Sequence, residues 1–188
     1  MSQAKVLSES ELKRVLAVVQ QHGKHAYRNR LAVVLSHFAG LRAGEIAALH
    51  IGDVLDSDGK PKDRVHLAPD QTKGSRERTV FISKRLQREI ASCLAHRTWS
   101  NNNAPLIRSQ KGGHFTPTTM VMLFRHMYDE AGLDDARSHS GRRSFITNLA
   151  TKGISVRVIQ ALAGHKSMQT TQRYIDLNDK MMVAAVEA

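Results

Sequence analysis

The segment AYRNRLAVVLSHFA, residues 26–39, constrains the fold more than any other part of the chain. Its apolar residues leave little polar surface, so it predicts a helix at the centre of the molecule. A central helix must be covered by other elements, and the preceding sequence supplies one. Ser8 and Glu11 form a capping-box pattern ahead of apolar residues at helical spacing, which predicts a first helix packed nearby.

The pattern changes between residues 53 and 82. The short segments DVL, RVHLAPD and RTVFIS, separated by the turns DSDGKPKD and TKGSRE, predict a small antiparallel sheet. The fold class predicted is mixed α/β, predominantly α-helical with this one sheet. Helical patterns open after Gly40 in GLRAGEIAALH and recur at 84–97, 117–131, 140–151, 155–163, 168–176 and 178–187.

The charge of the chain points to a polyanionic partner. The net charge is +11, and residues 71–115 hold 9 basic but only 2 acidic residues. A concentrated basic region favours nucleic acid over a membrane surface, because no basic amphipathic helix dominates. Charge alone leaves DNA, RNA and mere solubility open.

Length and composition favour a cytoplasmic protein with one domain. The 188 residues suffice for one core, and the N-terminus shows no signal-peptide pattern. No run of eighteen apolar residues occurs, so a membrane span is not expected. The single cysteine, Cys93, excludes disulfides within the chain and is expected to be a core residue.

Several kinds of catalytic site lack their sequence patterns. No histidine pair with zinc-like spacing is completed by a second pair, so no metal is expected. The glycine-containing QKGGHF lacks the Walker pattern and is interpreted as a turn. No nucleophile elbow is present for a serine hydrolase.

A set of cationic and imidazole side chains occurs at the predicted starts of elements: Arg42, Lys73, His139, Arg142 and His165. His139 and Arg142 are three residues apart, so they can face one ligand from a helix. Forked guanidinium donors and a lysine that can release a proton suit a phosphate diester whose charge grows in the transition state. Such a site requires no metal or other cofactor.

Each of these residues also has an ordinary structural interpretation. Taken singly, the arginines fit a helix surface and the histidines fit helix caps. Tyr174, on the polar segment KSMQTTQRY, fits a half-buried packing residue. The combination, rather than any one residue, favours catalysis.

Three segments resemble the tyrosine recombinase, or phage integrase, family: GLRAGEIAAL, TKGSRERTVFI and HSGRRSFITNLATKGISVRVIQALAGHKSMQTTQRY. The resemblance covers roughly residues 8–178 and keeps the family's order and spacing. It implies the catalytic-domain fold of that family. The catalytic residues that it implies are Arg42, Lys73, His139, Arg142, His165 and the nucleophile Tyr174, with Glu45 in support.

The resemblance implies a site-specific recombinase of a bacterium, phage or mobile element. Tyr174 would attack a DNA phosphate, form a 3′-phosphotyrosyl link and release a 5′-hydroxyl, and Lys73 would protonate that leaving oxygen. The implied partners are double-stranded DNA and further copies of the chain in a tetramer. Residues expected to contact DNA are Arg76, Arg78, Lys84, Arg143 and Lys166.

The family's His-x-Leu-Arg-His block is altered here to HSGRR at residues 139–143. Gly141 replaces a packing leucine and costs about 1 kcal/mol in helix propensity, which affects positioning more than chemistry. The first motif begins by residue 40, leaving no room ahead of it for the family's N-terminal DNA-clamping domain. Either a naturally minimal recombinase or a catalytic fragment fits.

The predicted division is a catalytic domain at 1–178 and a tail helix at 179–188. The tail is apolar on one side, and it packs either on its own domain or on a neighbouring protomer. Two other functions remain open: relaxation of DNA like that of type IB topoisomerases, and DNA binding without catalysis on the same fold. Integration, excision and inversion are not distinguished.

Overall fold

The computed structural model describes residues 4–72, 74, 76–174 and 186–187. Short 3₁₀ turns at Gly23–His25 and Pro69–Gln71 connect some of the elements. The helices and strands of the described residues are α1 (Glu9–Val19), α2 (Ala26–Ala39), α3 (Ala43–Ala48), α4 (Ile51–Val54), β1 (Arg64–Leu67), β2 (Arg78–Phe81), α5 (Lys84–Ala95), α6 (Pro117–Glu130), α7 (Ser140–Thr151), α8 (Val156–Ala163) and α9 (Met168–Gln172).

Helix α2 lies at the centre of the fold. It is buried on all sides and packs against α1, α5 and α7. The central position and bounds predicted for residues 26–39 are therefore confirmed. The capping box of α1 is also present, since Ser8 Oγ accepts from the Glu11 amide at 3.2 Å and Glu11 Oε2 accepts from the Ser8 amide at 2.8 Å.

The sheet consists of β1 and β2, paired antiparallel with Val65 opposite Val80. Val65 and Val80 point into the core, whereas Phe81 is exposed and has the Arg64 guanidinium over its ring. The predominantly helical fold with one small antiparallel sheet is confirmed. In the chain, β1 and β2 flank the basic segment TKGSRE, of which residues 72, 74, 76 and 77 are described.

The strand predicted for DVL, residues 53–55, is wrong. Residues Ile51–Val54 form the short helix α4, because Asp53 Oδ2 accepts from the His50 amide at 2.8 Å and caps the helix start. Of these three residues, Leu55 alone makes an isolated bridge, to Pro61. Three residues are too few to predict a strand where a side chain caps the start of a helix.

Among the described residues, the buried apolar side chains form two clusters. The larger is built around α1, α2, α5 and α6. The smaller contains Ile146, Ala150, Ile159 and Ala163 from α7 and α8, with Tyr174 packed against it. The segment that carries Tyr174 therefore rests on a small core of its own.

The described residues include only part of the C-terminal region for which helices were predicted. Helix α9 lies within the predicted range 168–176, but the tail helix predicted at 178–187 and the boundary at 178 fall on residues that are almost all outside the described part. No helix among the described residues is long and apolar enough to span a bilayer. Within the same residues, no group of three potential metal ligands occurs.

Candidate active site

The carboxylate of Glu45 organises one side of the site. Arg42 is the residue before α3, and Glu45 accepts from its amide at 2.8 Å and from its Nη1 at 2.7 Å. Arg78 Nη2, from β2, donates to Glu45 Oε2 at 2.8 Å. Burial by itself raises the pKa of this carboxyl, but the charges of Arg78 and Arg42 and the Arg42 amide lower it below its ordinary value. Glu45 is thus a buried anion held between two cations.

Glu45 is a carboxylate partner of both Arg42 and Arg78. The Glu45 side chain is 1% exposed, and an ionised carboxylate at that depth requires charge partners. The Arg42 side chain remains 23% exposed, so part of the guanidinium still faces the solvent.

Arg142 lies beneath the site and is anchored from two sides. It is 2% exposed, and its Nη1 and Nη2 donate to the carbonyls of Gly40 and Ala163, each at 2.5 Å. These bonds use two of the five N–H donors of an arginine. Burial, and after it the charges of Arg42 and Arg78, lower the pKa of Arg142 to about 9. The guanidinium therefore keeps its charge at neutral pH.

His165 follows the turn that ends α8. Its Nδ1 lies 2.9 Å from the hydroxyl of Thr171, and its backbone carbonyl accepts from Gln160 Nε2 at 3.1 Å. Burial, followed by the charges of Arg142, Arg42 and Arg78, lowers the pKa of His165 to about 4. His165 is therefore neutral at pH 7, with one ring nitrogen able to donate a proton in a hydrogen bond and the other able to accept one.

Tyr174 is half-buried next to His165. The two rings are stacked, with centroids 5.5 Å apart and planes at 23°. Its carbonyl accepts from Thr147 Oγ1 of α7 at 3.2 Å, and its amide donates to the Thr171 carbonyl at 3.0 Å. The position predicted for the nucleophile is thus held close to His165 by α7 and α9.

Three adjacent clefts connect these side chains. One of about 510 Å³ is lined by Arg42, Arg78 and His165. A second of about 820 Å³ shares Arg42 with it and reaches His139, and a third of about 470 Å³ extends from His139 to Tyr174. His139 is exposed and immediately precedes α7. The described residues therefore bring Arg42, Arg142, His139, His165 and Tyr174 into one region, whereas Lys73 lies outside them.

The residues predicted to contact DNA divide into two groups. Arg76, Lys84 and Lys166 are exposed, and Lys166 lies beside Gly74 of the basic turn. In contrast, the Arg78 side chain is only 10% exposed and bonds within the site. Arg143 is largely buried and its Nη1 donates to the Ala4 carbonyl at 2.9 Å. The structure thus gives Arg78 and Arg143 protein contacts that their sequence positions did not indicate.

Gly141 replaces the family's leucine for a packing reason. A Cβ at this position would lie 2.7 Å from Ser36 Oγ, 3.0 Å from Ser36 Cβ and 3.3 Å from the His37 amide nitrogen. Helices α2 and α7 therefore approach too closely for any side chain at residue 141. The altered block fits its surroundings, with His139 immediately before α7 and Arg142 on its first turn.

Thr171 is a site residue that sequence reasoning missed. It is fully buried and its hydroxyl contacts His165 Nδ1. A threonine in a polar segment gives no sequence signal for such a contact. Only the return of α9 towards α8 brings it to the ring.

A family model described as the phage integrase family matches residues 5–181. The chain belongs to this family. Its membership fits the resemblance seen in the three sequence segments, and the match includes every predicted site residue.

The curated relatives are recombinases that are longer than this chain. Tyrosine recombinase XerA of Pyrococcus furiosus is 32% identical over 187 residues, which are 97% of this chain and 61% of the relative. Tyrosine recombinase XerC of Rhodospirillum centenum is 32% identical over 162 residues, 85% of this chain and 46% of the relative. This chain therefore spans roughly half to three fifths of their length.

Solved structures share the fold over the whole chain. The crystal structure of XerA recombinase aligns with a TM-score of 0.77 at 25% identity, covering 100% of this chain and 64% of that one. A post-cleavage complex of XerH with a palindromic difH substrate aligns with a TM-score of 0.74 at 24% identity, covering 99% of this chain and 54% of that one. At that identity the second likeness concerns the fold alone.

Proposed function

We propose that this protein is a site-specific recombinase that breaks and rejoins DNA strands through a tyrosine. The observation that carries the proposal is the convergence of Arg42, His165 and Tyr174 at adjacent clefts, with Arg142 buried beside them and bonded to the end of α8. Family membership and relatives named as tyrosine recombinases support it. Double-stranded DNA is the proposed partner, in keeping with the net charge of +11.

The proposed reaction exchanges one phosphoester for another. Tyr174 Oη attacks the phosphorus, a new O–P bond forms, and the bond to the 5′-oxygen breaks. A 3′-phosphotyrosyl link and a 5′-hydroxyl result. Because the energy of the ester is retained in the link, a second 5′-hydroxyl can attack and reseal the strand with no cofactor. Integration, excision and inversion are all outcomes of this exchange.

The described side chains fit distinct parts of this reaction. Arg42 and Arg142 bring positive charge to the non-bridging oxygens, where negative charge grows in the transition state. Neutral His165 can donate to a phosphate oxygen or accept the tyrosine proton, and the exposed His139 borders the cleft beside Tyr174. Lys73, outside the described residues, is proposed as the general acid.

The test is covalent trapping on a nicked DNA duplex that carries candidate sites from the DNA flanking the gene. Cleavage beside the nick releases a short fragment, so the strand cannot be resealed and the covalent adduct accumulates. The wild-type protein should form an adduct, and Tyr174→Phe should bind the same DNA without forming one. Tyr27→Phe is the matched control, because Tyr27 stacks on His96 away from these clefts and keeps that stack without its hydroxyl. An adduct that still forms with Tyr174→Phe would contradict the assignment of Tyr174 as the nucleophile.

The role of Lys73 is tested by changing the leaving group. Lys73→Ala should cleave poorly when the leaving atom is oxygen. It should recover when that 5′-oxygen is replaced by sulfur, because a thiolate leaves without protonation. If sulfur brings no recovery, Lys73 is not the acid.

Assembly as a tetramer on DNA, with the tail at 179–188 docking on a neighbouring protomer, is part of the same proposal. Removal of residues 179–188 should reduce the mass of the protein–DNA complex in solution. An unchanged mass indicates that the tail packs on its own domain. Action on cellular DNA implies a cytoplasmic location in a bacterium or in a phage-infected cell, which localisation of a tagged protein would test.

The same trapping separates the two other functions. Relaxation of supercoiled DNA without site preference, and without strand exchange between duplexes, would indicate a topoisomerase-like enzyme. Specific binding with no adduct on any substrate would indicate a regulator.

A further inference from the structure

The Arg78 side chain bonds within the protein, although its position in the basic segment suggested a DNA contact. Its side chain is 10% exposed, Nη2 donates to Glu45 Oε2 at 2.8 Å, and Nη1 donates to the Leu162 carbonyl at 3.0 Å. A phosphate contact would need these donors directed at solvent, as an exposed arginine can direct them. Arg78 instead directs them into the protein.

The two bonds of Arg78 join separate parts of the site. Through Glu45 it reaches Arg42, whose amide and guanidinium both bond that carboxylate. Through Leu162 it reaches the end of α8, one residue before the Ala163 carbonyl that holds Arg142. Arg78 itself begins β2, five residues after Lys73. One guanidinium thus links β2 to α3, which Arg42 immediately precedes, and to the end of α8, where the Ala163 carbonyl accepts from Arg142.

The side chain also supports the turn that leads to His165. Gly164 has φ +63°, and a Cβ on it would lie 2.7 Å from Arg78 Cδ. The left-handed backbone and the close approach both require glycine here. The turn therefore rests directly on the aliphatic part of Arg78, so a shorter side chain would leave it without that support.

We propose that Arg78 is a positioning residue of the recombinase, holding Arg42 through Glu45 and His165 through the turn at the end of α8. This inference rests on the proposed function, because it assigns the residue that aligns that same site. Without Arg78, the buried Glu45 carboxylate keeps a single cation, and the end of α8 loses both a hydrogen bond and a packing surface. Misplacement of catalytic groups by about 1 Å can cost on the order of 100-fold in rate.

The experiment compares Arg78→Ala with Arg76→Ala on the nicked duplex, measuring DNA affinity and the single-turnover rate of adduct formation at saturating DNA. Arg76 is exposed two residues away, so it is the matched control. Arg78→Ala should lower the rate of adduct formation by about 100-fold, while its dissociation constant for DNA should stay within about threefold of the wild-type value. Arg76→Ala should instead weaken binding and lower the dependence of the binding constant on salt by about one counterion.

Two further variants distinguish positioning from a general structural role. If Arg78 acts through Glu45, Arg78→Ala combined with Glu45→Gln should lose far less than the product of the separate fold-losses. Arg78→Lys keeps a charge for Glu45 but cannot fork between two acceptors, so its rate should lie between those of wild type and Arg78→Ala. This variant carries the test if Arg78→Ala does not fold.

Hydrogen exchange provides a readout that needs no activity. Amides of residues 162–166 should exchange at least about tenfold faster in Arg78→Ala and be unchanged in Arg76→Ala. The positioning role is overturned by unchanged exchange, by wild-type cleavage in Arg78→Lys, or by a loss confined to DNA affinity. Failure of the wild-type protein to form any adduct would overturn the proposed function instead, while exchange would still decide whether Arg78 holds the turn.

Discussion

Glu45 shows how a single buried residue arranges the charges around it. An ionised carboxylate that is 1% exposed is stable only if cations and N–H donors surround it, and Arg42 and Arg78 meet that need. Replacement by a neutral side chain would leave two guanidiniums repelling each other across the same space. The acidic residue of the first motif is therefore as much a part of the site as the arginines.

Restoring the family's leucine at residue 141 should destabilise this protein. Gly141→Leu places a side chain where a Cβ would already lie 2.7 Å from Ser36 Oγ, so the expected loss is about 1–3 kcal/mol of unfolding free energy. Chemical denaturation measures it. Gly113→Ala is the control, since nothing lies within 4 Å of its Cβ position. A Gly141→Leu protein as stable as the wild type would contradict the close packing of α2 on α7.

His165 should titrate far below an ordinary histidine. Burial and three neighbouring arginines lower its pKa to about 4, and burial and Arg85 lower that of His37 to about 4 as well. The unfolded chain takes up these protons near pH 6.5, before the folded protein does. Stability should therefore fall as pH decreases from about 6.5 towards 4.

Nuclear magnetic resonance titration of the histidine rings in the DNA-free protein measures these pKa values. His165→Gln assigns the resonance and should lessen the acid-induced fall in melting temperature. A midpoint near 6.5 for His165 would contradict its burial among the arginines. Binding of a phosphate anion should raise the pKa of His165, because the anion stabilises the protonated ring.

At the scale of elements, residues 4–7 form a strap across the first turns of α7. Leu7 N donates to Ser144 Oγ at 2.8 Å, and the Ala4 carbonyl accepts from Arg143. Lys5 pairs with Glu11 of α1. The strap fastens the start of the described chain to the helix that carries Arg142.

Ser144→Ala should loosen this strap. The buried Leu7 amide would lose its acceptor, which costs about 1–3 kcal/mol of unfolding free energy. Ser92→Ala, on the exposed side of α5, is the matched control and should stay within about 0.5 kcal/mol of the wild type. Equal stability of the two variants in urea would show that the strap contributes little.

At the scale of the whole molecule, charge should govern affinity for DNA. With a net charge of +11, the logarithm of the binding constant should fall linearly with the logarithm of salt concentration. Removing Lys84 or Lys166 should each lower that slope by about one. Lys13→Ala is the control, because Lys13 lies on α1 outside the predicted contact set and pairs with Glu9. Equal slopes for all three variants would remove Lys84 and Lys166 from the DNA surface.

The long helices could be predicted from the sequence because their apolar residues recur at helical spacing over several turns. The bounds of α2 follow from its apolar segment, and those of α5 and α6 differ from prediction by only one or two residues. The segment DVL failed because three residues cannot distinguish a strand from a capped turn of helix. Local order thus follows the sequence where the pattern is longer than a few residues.

The sequence by itself predicted most residues of the proposed site, since their types and order resemble the family's motifs. Only the tertiary structure decided which contacts each of these side chains makes within the protein. Arg78 and Arg76 are two residues apart in one basic segment, yet the Arg78 side chain is only 10% exposed and bonds within the protein, whereas Arg76 is exposed. A long charged side chain has several directions open to it, and the choice depends on partners distant in sequence, here Glu45 and the Leu162 carbonyl.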